Sequence, residues 1–280
     1  MKREKCNFHT HSIYCDGKSP INEFVEEASM RQYSQLGFSS HAPVPFANDF
    51  GIKTDEIPSY HQEISSQQQQ HPELTLYAGL ECDYIPGMSQ PFEMYKNKYQ
   101  LDFIIGGVHL VKATNGELWF IDGSKREIYD NGLQTLFGGD IRKAVTAFWE
   151  QTFEMIENEQ FDIIAHLDKI KMHNQKRFFT ENEKWYLALV DHSIELIRRK
   201  NLIVEINTRG IYKKRCTDFY PSDYILARLA RENVPMVVST DAHQVHELSL
   251  GYEEAGEKLK SFQINHLVFL KDKKWVEYEI

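Results

Sequence analysis

Short apolar runs alternate along this chain with amphipathic stretches. The runs cover 5–9, 37–41, 74–81, 101–109, 161–166, 202–208 and 235–240. Several are apolar almost without interruption, as in DFIIGGVHL, FDIIAHL and PMVVSTD. Runs of that kind suit parallel strands buried on both faces. Between them lie helical patterns. Ser19-Pro20 opens one, with Ser as N-cap and Pro at the first helical position. Phe24, Val25, Ala28 and Leu36 give it an apolar face, and Gly37 is read as its end. Residues 141–158 repeat Ala144, Val145, Phe148, Trp149, Thr152, Met155 and Ile156 at helical spacing. Residues 181–200 and 222–233 read the same way. Strand–helix alternation repeated about seven times predicts an α/β fold, a distorted seven-stranded (β/α)7 TIM-like barrel.

The chain length of 280 residues suits one such barrel, so 1–280 is expected to be a single domain. Two connections exceed a typical strand-to-helix loop, 42–72 and 111–140, and are predicted to be lids over one end of the barrel.

The polar residues that end the apolar runs change the picture. His9 and His11 follow the first run, with Asp16 in the next loop. His41 ends the second, Glu81 the third, His109 the fourth and His166 the fifth; Asp241 and His243 follow the seventh. Side chains at i and i+2 on extended backbone point the same way, so His9 with His11, and Asp241 with His243, can each grip one ion. Any one buried histidine is commonly a hydrogen-bonded core residue. Nine such groups at the C-terminal ends of barrel strands, where active sites of this architecture are built, predict a metal site with more than one ion. Mixed imidazole and carboxylate donors suit zinc, manganese and iron alike. Cys15 is close enough in sequence to be an added soft ligand, or simply a loop thiol.

Charge narrows the partners. The net charge of −9 disfavours nucleic acid, and no apolar stretch approaches a membrane span. The start, MKREKCNFHTHS, lacks the apolar core of a signal peptide, and the four cysteines form no CxxC pair or disulfide framework. A cytoplasmic protein with a small-molecule substrate is the expectation; the oligomeric state is not legible.

The HxH pair, the Glu after LYAGLE, GGVH, AHLD and STDAH resemble the signature of the polymerase and histidinol phosphatase (PHP) superfamily, from His9 to His243. SSHAPVP, GLECDY, the WFIDG segment after GGVHLV, and EINTRG are similar to its histidinol-phosphate phosphatases. Many members place an Asp before the second-strand His; Ser40 stands there in this chain, and is expected to replace it in part as a support for His41. The resemblance implies three divalent metal ions. His9, His11, Glu81 and Asp241 would hold one, and Glu81 would bridge to a second held by His109 and His166. Asp16, His41 and His243 would hold the third. It also implies hydrolysis of a phosphate monoester, L-histidinol phosphate, in histidine biosynthesis. Other readings are another PHP phosphoesterase, acting on a nucleotide, a sugar phosphate or phosphotyrosine, and a non-catalytic metal-binding domain.

Such a reaction needs a group to assist the leaving alkoxide, and Asp16 or His243 beside the third ion is expected to serve. Arg209, just past the sixth strand with no acidic neighbour in NTRGIYKK, is the expected phosphate clamp. Lys169 and Lys171 are further phosphate candidates, and Asn207 a hydrogen-bonding support. In the insertion after His109, Trp119 and Phe120 offer aromatic surface and Asp122 a carboxylate for an organic cation.

Overall fold

The computed structural model describes residues 5–280. Residues 1–4 of the expected domain lie outside the described residues. The chain runs β1 (Cys6–Asn7), α1 (Ile21–Met30), β2 (Gln35–His41), α2 (Ile57–Gln70), β3 (Thr75–Asp83), α3 (Phe92–Tyr99) and β4 (Phe103–Gly107). It continues through β5 (Leu110–Lys112), β6 (Leu118–Phe120), α4 (Arg126–Phe137), α5 (Ile141–Asn158), β7 (Ile163–Ile164) and α6 (Lys184–Lys200). Then follow β8 (Ile203–Asn207), α7 (Arg209–Tyr212), α8 (Asp223–Arg231), β9 (Met236–Ser239), α9 (Tyr252–Ser261), β10 (His266–Lys271) and β11 (Lys274–Glu279). Among these residues no helix is long and apolar enough to cross a membrane.

Seven strands form one parallel sheet in the order β1-β2-β3-β4-β7-β8-β9. Its two edges meet just beyond the strand ends. Thr10 pairs with Ala242, the His11 amide donates to the Ala242 carbonyl at 2.8 Å, and the Ala242 amide to the His9 carbonyl at 3.2 Å. The sheet is therefore a nearly closed barrel, tightest at its C-terminal rim. The larger apolar core lies between strands and surrounding helices; the apolar faces of α1 and α5 enter it as their spacing predicts. A second, separate cluster fills the barrel. Phe8, Phe103, Ile105, Ile163, Ile203 and Val237 meet Val268 and Leu270 of the β10–β11 hairpin, which has no counterpart in the seven-run reading.

One boundary moves. Gly37 does not end α1, which stops at Met30, but lies inside β2. A Cβ there would sit 2.9 Å from the rings of Phe103 and Phe8, so the missing side chain makes room for the aromatic filling. Residues 46–50 of the first long connection and Phe120, Asp122 and Gly123 of the second reach the rim, while α2 packs beside β3. The 42–72 stretch contributes a loop and then α2, and the 111–140 stretch contributes the β5–β6 hairpin and α4.

Candidate metal centre

All nine predicted ligands converge at the C-terminal rim, around Glu81 at the end of β3. Its Oε2 lies 3.1 Å from His9 Nε2, 3.4 Å from His11 Nε2 and 3.0 Å from His41 Nδ1. Its Oε1 lies 3.0 Å from His166 Nε2 and 3.5 Å from His109 Nε2. Asp241 Oδ1 is 3.5 Å from His11 Nε2 and 3.4 Å from His243 Nδ1. Asp16 Oδ1 is 3.3 Å from His243 Nε2 and 3.8 Å from His41 Nε2. Three groups have donor atoms mutually within 4.8 Å: His11, Asp16, His41 and His243; His9, His11 and Asp241; and His41, Glu81 and His109. The grouping overlaps the three sets implied by resemblance, with His11 and His41 shared between neighbours.

Local backbone explains how the ligands reach inward. His166 and Asp241 follow β7 and β9 with φ of 28° and 52°, left-handed values that cost a residue bearing a Cβ. Both are pinned. The His166 amide donates to Glu205 Oε2 at 2.9 Å, and the Asp241 carbonyl accepts from Arg209 Nη1 at 2.5 Å. Gly107 leaves room for His166: a Cβ there would lie 3.1 Å from its ring.

The donor set fits metal ions. His9 Nε2, His11 Nε2, Glu81 Oε2 and Asp16 Oδ1 are buried atoms with no hydrogen-bond partner, all directed into the one cluster. Leaving four such atoms unsatisfied is costly, and cations would satisfy them together. Charge agrees. Burial pushes the Glu81 carboxyl up, but His9, His41 and His109 outweigh it and hold it well below the usual range. Burial is likewise outweighed at Asp241, by Arg209 and His9. Burial takes His166 down to about 4, with Lys169 adding to it; burial also lowers His9 and His109, but Glu205 at His9 and Glu81 at His109 outweigh it and raise both.

A supporting residue escaped the sequence reading. Glu205, wholly buried in β8, takes His9 Nδ1 at 2.5 Å and the His166 amide on its other oxygen. A carboxylate behind a ligating imidazole fixes its tautomer and orientation. Asn207, two residues on, donates to Glu205 at 3.1 Å and to Asp241 at 3.3 Å, the support expected of it. Period-two spacing of Glu205 and Asn207 on β8 was the available signal. Asp83 is a second such support, accepting the His109 amide at 2.9 Å. Cys15 Sγ lies 3.4 Å from His11 Nδ1, behind the ring. Ser40 makes no hydrogen bond to His41; that ring faces Glu81 and Asp16 instead.

The cluster floors a cavity of about 570 Å³. Phe120, Asp122, Lys169 and Arg209 line it as expected, together with Lys18 and Arg215. Two expected residues do not. Trp119 is buried beneath α4, its indole donating to the Tyr129 carbonyl at 2.9 Å and its ring packed on Tyr129 and Phe137. The Lys171 ammonium turns away to Asp168 and the Phe219 carbonyl, each at 2.8 Å. Two others are already paired. Lys169 Nζ lies 2.7 Å from Asp122 Oδ2, so Asp122 is not a vacant acceptor. Arg209, expected to lack an acidic neighbour, has Glu247 at 3.3 Å, brought in from far along the chain.

The model of the PHP domain matches residues 7–209. The chain belongs to the PHP domain family. Among curated proteins it is 26% identical to a probable histidinol-phosphatase of Deinococcus radiodurans, over 91% of this chain and 92% of that one. It is 23% identical to the histidinol-phosphatase of Bacillus subtilis, over 89% and 97%. Two solved structures share the fold. A putative histidinol phosphatase from Listeria monocytogenes superposes with a TM-score of 0.78 at 21% identity, covering 89% of this chain and 99% of that one. The histidinol phosphate phosphatase of Lactococcus lactis, solved with zinc, L-histidinol and phosphate, gives 0.67 at 19%, covering 98% and 99%.

Proposed function

We propose that this PHP chain is a metal-dependent phosphomonoesterase that hydrolyses L-histidinol phosphate to L-histidinol and phosphate, in the cytoplasm. The observation that carries the reading is the convergence of nine imidazole and carboxylate groups on Glu81 at the floor of a cavity walled by cations. The names of the full-length relatives support the substrate. Three ions are proposed, in the sets His9, His11, Glu81 and Asp241; Glu81, His109 and His166; and Asp16, His41 and His243. Zinc, manganese and iron all suit these donors, and the Lactococcus relative carries zinc.

When bound, such ions supply Lewis-acid charge and lower the pKa of a coordinated water. The protein's own groups do the rest. Arg209 and Lys169, both lining the cavity, orient the phosphate oxygens. Their partners Glu247 and Asp122 hold the two cations in place before substrate arrives, which limits reorganisation during reaction. Asp16 and His243, 3.3 Å apart on the more open side of the cluster, would hold the third ion beside the leaving alkoxide and so assist its departure. Glu205 and Asp83 keep the ligand imidazoles oriented.

The test is steady-state kinetics on histidinol phosphate beside a panel holding a nucleotide, a sugar phosphate and a phosphotyrosine peptide. The highest kcat/KM is expected for histidinol phosphate. A higher value for any other member would replace the substrate assignment.

A further inference from the structure

One wall of the cavity carries a charge that the metal chemistry does not use. Five carboxylates line the cavity. Asp16, Glu81 and Asp241 belong to the ligand cluster. Asp122 is neutralised by Lys169 at 2.7 Å, with Arg215 at 3.7 Å on its other oxygen. Asp49 remains, exposed on the 42–52 loop, and forms no ion pair among the described residues.

The loop that presents Asp49 is built in advance. The Asn48 side chain accepts from the Gly51 amide at 2.7 Å and the Phe50 amide at 3.2 Å, and donates to the Phe46 carbonyl at 3.0 Å. Ile52 is buried, and its amide donates to the His41 carbonyl at 2.9 Å. Phe50 stands edge-on to the His41 ring, 5.8 Å between centroids, which keys the loop to the metal end of the cavity. Phe46, Phe50 and Phe120 give the same space aromatic walls. Aromatic faces with one unpaired carboxylate suit a flat or organic cation.

We propose that Asp49, framed by Phe46 and Phe50, is the acceptor for a cationic group on the alcohol portion of the substrate, and so a specificity-determining residue. This rests on the phosphomonoesterase reading. It moves the cation-binding role from Asp122, which is already paired, to a loop outside the barrel proper.

The experiment compares kcat/KM for an aminoalkyl phosphate and a neutral alkyl phosphate of equal length, in metal-loaded wild type, Asp49→Asn and Asp49→Lys. Asp49 is exposed, so both variants are expected to fold. Wild type should favour the aminoalkyl ester. Asp49→Asn should cut the ratio between the two esters by about five- to tenfold, mostly through KM, as for loss of one charge-assisted contact. Asp49→Lys should lower it further. An unchanged ratio in both variants overturns the proposal, as does a wild type with no preference for the cation. A wild type that prefers the aminoalkyl ester but spares histidinol phosphate would retire the substrate assignment above. In that case the ratio in Asp49→Asn still decides the role of Asp49.

Discussion

The two ends of this barrel are made from the same seven strands and have opposite chemistry. At the N-terminal end the interior is apolar: Phe8, Phe103 and Trp275 meet edge to face, and the β10–β11 hairpin packs against them. At the C-terminal rim the strands end in imidazoles and carboxylates, four of them with buried, unsatisfied atoms. The apolar end supplies burial energy; the rim carries charges that only partners of opposite sign can stabilise. Stability and function are thereby divided along the barrel axis.

The sharpest way to break this division is at Glu81. Glu81→Ala should lower kcat/KM by about 10³-fold or more, since one side chain faces His9, His11, His41, His109 and His166 together. Metal content, read by elemental analysis, should fall with it, while the melting temperature of the metal-free protein should hold or rise. A large loss of metal-free stability would mean that the rim is structural after all.

Phe103→Ala probes the other end. The side chain is wholly buried, so truncation should cost about 3–5 kcal/mol of unfolding free energy in denaturant titrations. Metal content of the folded fraction should not change. Arg209→Ala should cost about 2–4 kcal/mol in kcat/KM, with Arg209→Lys recovering part, and should lower metal content far less than Glu81→Ala does, although it releases the Asp241 carbonyl. Near-wild-type kinetics would remove Arg209 from the site and leave Lys169, Lys18 and Arg215 as the cations of the wall.

The smallest effect lies outside both ends. Arg177 grips Asp130 with two hydrogen bonds, at 2.9 and 2.6 Å, and these hold the Asp130 carboxyl below its ordinary range. A lowered folded-state pKa stabilises the fold above the unfolded value and loses that contribution as pH falls through the folded one. The pair is largely exposed, so Arg177→Ala should cost under about 1 kcal/mol at pH 7. The difference should fade as pH drops below about 4. A cost that persisted at low pH would come from packing and not from the ion pair.

The rim cluster was legible because its signal is local. An i, i+2 pair, or a polar residue ending an apolar run, keeps its meaning wherever the strands go. The barrel was legible for the same reason, since alternation needs no knowledge of distant contacts. What was missed depends on partners remote in sequence. Glu205 sits mid-strand among apolar neighbours, and its role exists only because β8 lies beside β7 and near β1. Glu247 reaches Arg209 through the fold, so NTRGIYKK alone looked free of acid. Lys169 and Lys171 differ by one short helical step, enough to send one ammonium into the cavity and the other to Asp168. Trp119 and Phe120 alternate on β6, which puts one ring under α4 and the other on the cavity. The C-terminal hairpin went unread because it carries no chemistry and follows the seventh run.

If the rim cluster works through bound metal on a phosphate monoester, turnover must follow metal occupancy. The most direct test is histidinol phosphate hydrolysis by protein stripped with a chelator and then titrated with manganese or zinc, with bound metal counted at each point. Stripped protein should show no turnover, and recovery should track occupancy of the cluster. Full turnover in demonstrably metal-free protein would contradict it.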